Sequence, residues 1–253
     1  MMPDYKKALL AAVQAAREAG EILRADFLRL GGPLGSGGHA EADEQAEQVI
    51  RRIVLEAFPT AYRGEETGSA PGDDNNHVWL VDPNDGTSPY LKGWRGSAVS
   101  IALLRDGQPV LGVVYAYCYP GNDGDLIAWA EGCGPITRNG TPLTTSLEGV
   151  NLGGNTEVPS IVFVSQAADK NPSANATCTA PARYIAIPSI AYRLARVAVG
   201  DGVAGVSLNS PGDWDYAAGH ALLLAAGGVL IDEQGNSITY SEQGKSYCSW
   251  CFG

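Results

Sequence analysis

Apolar residues recur near the start of the chain at four- and three-residue steps, at Leu9, Val13, Ala16, Gly20, Leu23 and Phe27. That spacing predicts one helix over residues 4–29 with a single buried stripe, ended by the glycine-rich run 31–38. A second helix is predicted from Glu41 to Phe58, burying Val49, Ile50, Ile53, Val54 and Ala57, with Pro59 closing it. Asp43 and Glu44 fall in its first turn, where negative charge suits the helix dipole. Residues 59–77 are polar and rich in Gly, Asp and Asn, and read as one long loop.

The pattern then changes to short apolar runs. His77 to Val81 reads as a short strand running into Asp82-Pro83-Asn84-Asp85-Gly86-Thr87. Segments 97–104, 109–119 and 125–130, joined by turn residues, predict an antiparallel meander, and Asn139-Gly140 marks a further hairpin. Beyond a linker at 144–158 the elements alternate: strands 161–164, 183–187, 203–208 and 229–231, with helices 189–199 and 214–226. Alternation of that kind predicts an α/β half over 151–253, after an α+β half over 1–150.

Composition narrows the classes. With 45% apolar and 18% charged residues in 253, the chain can bury a sizeable core, and disorder is excluded. A net charge of −11 with no basic patch argues against a nucleic-acid polymer as partner. A protein this acidic needs cations as intermediaries to handle phosphate esters. The longest near-apolar stretch, 221–231, is too short to span a membrane, so a soluble protein is expected. Five cysteines, an odd number, suit a reducing, cytoplasmic setting rather than a disulfide framework.

The hexapeptide 82–87 carries the sharpest chemistry. Two carboxylates three residues apart across a proline-fixed turn can converge on one hard cation, with a backbone carbonyl adding an oxygen. Gly86 permits a tight turn, so that the amides of Gly86 and Thr87 could face a phosphate. A solvated Asp-Pro/Asp-Gly turn is the alternative. Gly64-Glu65-Glu66-Thr67 upstream and Trp214-Asp215-Tyr216-Ala217-Ala218-Gly219 downstream are each weak, and gain weight only in combination.

In that order these motifs, with Ala226-Gly227-Gly228, Gly112-Val113-Val114-Tyr115 and Gly132-Cys133-Gly134, resemble the signature set of the inositol monophosphatase family. The resemblance covers nearly the whole chain. It implies a layered αβαβα sugar-phosphatase fold and a Mg2+-dependent, lithium-sensitive phosphatase acting on a small phosphate ester. It also implies that Glu65, Asp82 and the carbonyl of Asn84 hold a first Mg2+, and that Asp82, Asp85 and Asp215 hold a second. Glu65 and Thr87 would orient and help deprotonate the attacking water, with Asp82 counted among the catalytic groups. Asp85, Gly86, Thr87, Ser189 and Asp215 would meet the substrate, Asp215 reaching across from the second half. Homodimer formation is compatible with the resemblance.

Several positions depart from the family pattern. His39-Ala40-Glu41-Ala42-Asp43 keeps the aspartate but not the usual threonine, which bears on a third metal position at Asp43. Ser88-Pro89-Tyr90 matches neither inositol phosphatases nor nucleotidases, Pro188-Ser189 replaces a Gly-Ser or Gly-Thr, and Leu208 stands where a ring-hydroxyl-binding carboxylate is expected. A 3′(2′),5′-bisphosphate nucleotidase and a non-catalytic metal-binding descendant are therefore the rival readings. His220, one turn beyond Asp215, reads either as a substrate contact or as a packed, hydrogen-bonded residue; His39 and His77 read as loop residues. Cys248 and Cys251 lack a second pair for a zinc site and read as part of an apolar C-terminal strand. No Gly-X-Ser-X-Gly elbow supports a serine hydrolase.

Overall fold

A computed structural model describes residues 5–72, 74, 76–153 and 160–253, so the end of the expected linker, 154–158, lies outside the described residues. The chain opens with α1 (Tyr5–Phe27), the short pair β1 (Gly35–Ser36) and β2 (His39–Ala40), and α2 (Glu41–Ala57). Next come β3 (Ala61–Gly64), β4 (Ser69–Ala70), β5 (His77–Asp85), α3 (Thr87–Tyr90), β6 (Ala98–Arg105), β7 (Gln108–Ala116), β8 (Asp125–Ala130), β9 (Thr137–Arg138) and β10 (Thr141–Pro142). The remainder is β11 (Ile161–Val164), a 3-10 turn (Gln166–Lys170), α4 (Pro172–Thr179), β12 (Arg183–Ala186), α5 (Ile190–Ala198), β13 (Ala204–Ser207), α6 (Asp213–Ala225) and β14 (Cys251–Phe252).

Eight strands in the order β10-β9-β8-β7-β6-β5-β3-β4 form one sheet, and β12-β11-β13-β14 form a second. Side-chain alternation sorts the large sheet into two dry faces. Trp79, Val81, Val99, Ile101, Leu103, Leu111 and Val113 pack under α1 and α2. Val78, Leu80, Ala102, Leu104, Val114 and Ile127 pack against α5 and α6 on the other face. Every residue of β5 is buried because both of its faces are covered. The small sheet sends Phe163 toward α5 and α6 and covers its far face, Val162 and Val164, with Ala168 of the 3-10 turn and Ala182. The result is five layers, αβαβα, as expected.

The structure corrects several local expectations. The expected 59–77 loop contains β3, which runs parallel to β5 with Ala61 opposite Val78 and Gly64 opposite Val81, and β4 beside it. Four apolar-polar residues are too few to announce a strand by periodicity. The buried stripe of α1 keeps the expected Ala16, Gly20 and Leu23 and adds Tyr5, Ala8, Ala11, Ala12, Ala15 and Ala19, while Leu9, Val13 and Phe27 are half-buried. Small side chains there let α1 lie close on its neighbours. The expected strand 229–231 reduces to bridges from Ile231 to Ser237 and Phe252. α4 has no buried residue, so no hydrophobic period exists to reveal it. His77 is not a loop residue: it is buried at the start of β5, between the Tyr5 hydroxyl at 2.9 Å and Asp74 Oδ2 at 2.5 Å.

Candidate active site

The site begins with an irregularity in β5. Asp82 pairs with Ser100 of β6 and Asp85 with Ala98, so Pro83 and Asn84 oppose the single residue Val99. In a regular strand Asp82 and Asp85, three residues apart, would face opposite sides of the sheet. The bulge resets the alternation by one residue and turns both toward the α5/α6 face, where Ser100 Oγ donates to Trp214 O at 2.7 Å. Asn84 is sent the other way, where its Nδ2 donates to Asp43 Oδ1 of α2 at 2.9 Å and its Oδ1 accepts from the Tyr117 hydroxyl. Gly86 closes the turn at φ +99°, a conformation that disfavours a side chain, and its carbonyl accepts from Ser97 Oγ at 2.9 Å. Thr87 opens α3, with its Oγ1 donating to Asn84 O at 2.9 Å.

Three more segments converge on this turn. Glu65 follows β3, and its amide extends the ladder by donating to Val81 O at 3.1 Å, which sets its carboxyl beside Asp82. Asp215 lies in the first turn of α6, its Oδ2 accepting from Gly212 N at 2.8 Å, with its carboxyl close to Asp82. Asp85 Oδ2 accepts from Ser189 Oγ at 2.6 Å and from Ala191 N at 2.7 Å at the start of α5. Asp82 Oδ1 accepts from Asn84 N at 2.7 Å.

Carboxylates this close raise one another's proton affinity. Burial, then the charges of Glu65, Asp215 and Asp85, holds the Asp82 carboxyl well above the usual range. Burial followed by Asp85 and Glu65 does the same to Asp215. Burial pushes Asp85 up to about 6, against the hydrogen bonds from Ser189 and Ala191. Glu65 keeps some solvent exposure, yet loss of water around its carboxyl and the charges of Glu66, Asp85 and Asp43 push it up to about 7, opposed by a hydrogen bond with Asp82. Asp43 is also pushed up to about 6 by burial, against hydrogen bonds from Ala40 and Asn84. The cluster consists of hard oxygen donors whose mutual repulsion a divalent cation would relieve. Beside it, His39, Asp43 and Glu66 offer ligand atoms within 4.8 Å of one another, with His39 Nδ1 2.9 Å from Glu66 Oε2.

Two expected substrate contacts take other roles. Ser189 is fully buried, and its hydroxyl is committed to Asp85 while accepting from Tyr192 N at 2.9 Å, so it supports a carboxylate. His220 is buried with Nδ1 3.2 Å from the Tyr240 hydroxyl, and burial lowers it to about 4, leaving a neutral packed ring rather than a substrate contact.

Sequence reasoning missed two supporting residues. Glu47 is buried in α2, with Oε2 accepting from Glu66 N at 2.7 Å and Oε1 from Thr67 N at 2.9 Å, so it grips the loop that carries Glu65. A Cβ on Gly64 would lie 1.9 Å from Glu47 Oε1, so only glycine admits the grip. The available signal was a carboxylate one turn after Asp43, in line with the buried Ile50 and Val54. Arg193, buried in α5 one turn after Ser189, is the other.

The sequence pattern of the inositol monophosphatase family matches residues 4–250. The chain belongs to that family. It is 30% identical over 247 residues to inositol monophosphatase 1 of Solanum lycopersicum, covering 92% of this chain and 86% of that one. Against an inositol-1-monophosphatase of Mesorhizobium japonicum, identity reaches 43% over 112 residues, a segment spanning 41% of each chain. An inositol monophosphatase structure from Anabaena superposes with a TM-score of 0.72 at 26% identity, covering 96% of this chain and 88% of that one. By family membership the chain is a phosphatase, a hydrolase of phosphoric monoesters. Among the described residues no helix is long and apolar enough to cross a membrane.

Proposed function

We propose that the chain is a Mg2+-dependent phosphomonoesterase acting on a small polyol or sugar phosphate of the inositol-monophosphate kind. The observation that carries this reading is the bulge in β5, which turns Asp82 and Asp85 to one face beside Glu65 and Asp215. An all-oxygen donor set suits Mg2+ better than softer metals. Glu65, Asp82 and the Asn84 carbonyl would hold one ion, and Asp82, Asp85 and Asp215 a second. When bound, the ions supply charge neutralisation for the phosphate, acidification of an attacking water and stabilisation of the leaving alkoxide.

The chain's own residues do the rest. Glu65 would take a proton from the attacking water, and Thr87, whose Oγ1 donates to Asn84 O, would help orient that water. The positive φ of Gly86 supports the reading in which the amides of Gly86 and Thr87 receive phosphate oxygens. Lys92 and Arg95 are poor substitutes for cations: Lys92 Nζ is 3.5 Å from Ser88 Oγ on an exposed turn, and Arg95 donates to Cys118 O and Asn122 Oδ1.

Beyond the ends of β11 and β13 lies a cavity of about 200 Å3 lined by Val164, Ala168, Asn175, Val206, Leu208 and Asn209. Crevices beyond the carboxyl ends of parallel strands are where ligands settle in α/β sheets. A leaving group lodged there would meet few polar groups besides Ser165, Asn175 and Asn209, which underlies one second reading, a bisphosphate nucleotidase with a flatter leaving group. All five cysteines are free, in keeping with the reducing, cytoplasmic setting we propose. A panel of myo-inositol 1-phosphate, glycerol 2-phosphate, AMP and adenosine 3′,5′-bisphosphate, assayed with Mg2+ and with EDTA, tests the proposal. Turnover of the polyol esters with Mg2+ alone is expected; turnover of the bisphosphate only would select the second reading. No turnover of any ester would contradict both and favour a non-catalytic descendant.

A further inference from the structure

We infer that Arg193 is a positioning residue for Asp85: it clamps the Pro188–Ser189 turn to β13, so that the start of α5 holds the Asp85 carboxylate in place for a cation. The inference rests on the reading above, in which Asp85 is a cation ligand. Arg193 is buried at the first turn of α5, and its hydrogen bonds go to carbonyl oxygens rather than carboxylates. Nε donates to Ser189 O at 3.1 Å, one Nη donates to Pro188 O at 3.4 Å, and the other donates to Val206 O of β13. The planar guanidinium thus spans the Pro188–Ser189 turn and β13. The turn it holds is the one that touches Asp85. Ser189 Oγ and Ala191 N both donate to Oδ2, at 2.6 Å and 2.7 Å, and a backbone hydrogen bond from Ile190 also reaches the Asp85 carboxyl. Pro188 also packs against Gly86, where an added Cβ would meet Pro188 Cβ at 3.1 Å, so the clamp reaches the turn that follows Asp85 as well.

A buried cation beside a cation site invites a purely electrostatic reading, and the two readings differ in sign. The charges of Asp85 and Asp215 both reach Arg193, offsetting part of the burial that pushes its guanidinium down to about 10. If charge were all that mattered, removing it would relieve repulsion and tighten Mg2+ binding. If the clamp matters, removing it loosens Asp85 and weakens binding.

Calorimetric titration of the full chain with Mg2+ at pH 8 separates the two. In Arg193→Met the weakest Mg2+-binding step is expected to lose at least tenfold in affinity. Arg193→Lys keeps the charge but cannot bridge the two segments, and is expected to lose about threefold to tenfold. Ser189→Ala removes one donor from Oδ2 and should weaken the same step, less than additively with Arg193→Met because both act through Asp85. Leu111→Ala, a buried change on the α1/α2 face, should lower Tm without moving the step. Tighter or unchanged binding in Arg193→Met, wild-type affinity in Arg193→Lys, or an equal loss in Leu111→Ala would overturn the inference. A wild type that takes up no Mg2+ would sink the metal reading itself, an outcome distinct from all of these.

Discussion

The bulged end of β5 and the wall formed by β11 and β13 are built in opposite ways. At the first, Asp82 is held by Asn84 N within the bulge itself, while Asn84 is held by Asp43 and Tyr117 and Asp85 by Ser189 and Ala191, all from outside the strand. At the second, Leu208 is 56% exposed, and the polar residues lining the same cavity are Ser165, Asn175 and Asn209. Rigid, overdetermined geometry suits a step in which atoms must meet within a few tenths of an ångström, whereas a loosely specified wall suits a leaving group that may vary. On the proposed reading the first region carries the reaction and the second meets the leaving group.

Changing Asp82 should break this contrast most severely. In Asp82→Asn the shared carboxylate becomes a neutral amide, and kcat/KM should fall at least a hundredfold, about 2.7 kcal/mol. The fold should survive, and the metal-free Tm should rise, because a charge held among Glu65, Asp85 and Asp215 is gone. Steady-state kinetics and thermal melts check both; retention of more than a tenth of wild-type turnover would remove Asp82 from the centre of the site.

A pH series sharpens the same contrast without mutation. Glu65 at about 7 and Asp85 and Asp43 at about 6 all lie above their unfolded values near 4. Each binds its proton more tightly when folded, so the stabilisation is full below pH about 4 and is lost as pH rises through about 6 to 7. In EDTA, Tm should therefore fall between pH 5 and 7.5, and Mg2+ should recover it most at the upper end. A metal-free Tm that is flat over this window would mean the carboxylates do not repel one another as described.

At the apolar wall the expected effects are small. Leu208→Ala should change kcat/KM less than threefold on any ester. Leu208→Glu should raise the preference for myo-inositol 1-phosphate over glycerol 2-phosphate threefold to tenfold, about 0.7–1.4 kcal/mol, measured as a ratio of kcat/KM. No change in that ratio would move the leaving group away from Leu208.

How far the sequence foretold this follows from where the information sits. The five layers were legible through the family resemblance, while apolar runs marked β5 to β8 and apolar segments marked α2, α5 and α6. Asp82, Asp85 and Asp215 were legible as a set because motifs on three segments occur in family order. β3 was not, since a four-residue strand flanked by glycine has too few positions to show a period. The bulge was equally hidden: Pro83 hints at irregular pairing, but the register with Ser100 and Ala98 is a property of two strands together. Glu47 and Arg193 looked like the polar side of their helices, and only tertiary structure reveals that both point inward. For His220 the sequence left two readings open, and the structure shows the packed, hydrogen-bonded one, with Nδ1 facing the Tyr240 hydroxyl.

The central claim is that cations mediate between an acidic protein and an anionic substrate. Calorimetric binding of inorganic phosphate to the wild-type chain, once with Mg2+ and once in EDTA, tests it most directly. Saturable binding with Mg2+ and loss of at least a hundredfold in affinity on chelation is the predicted result. Phosphate affinity undiminished in EDTA would contradict the claim and shift the anion site to Lys92 or Arg95.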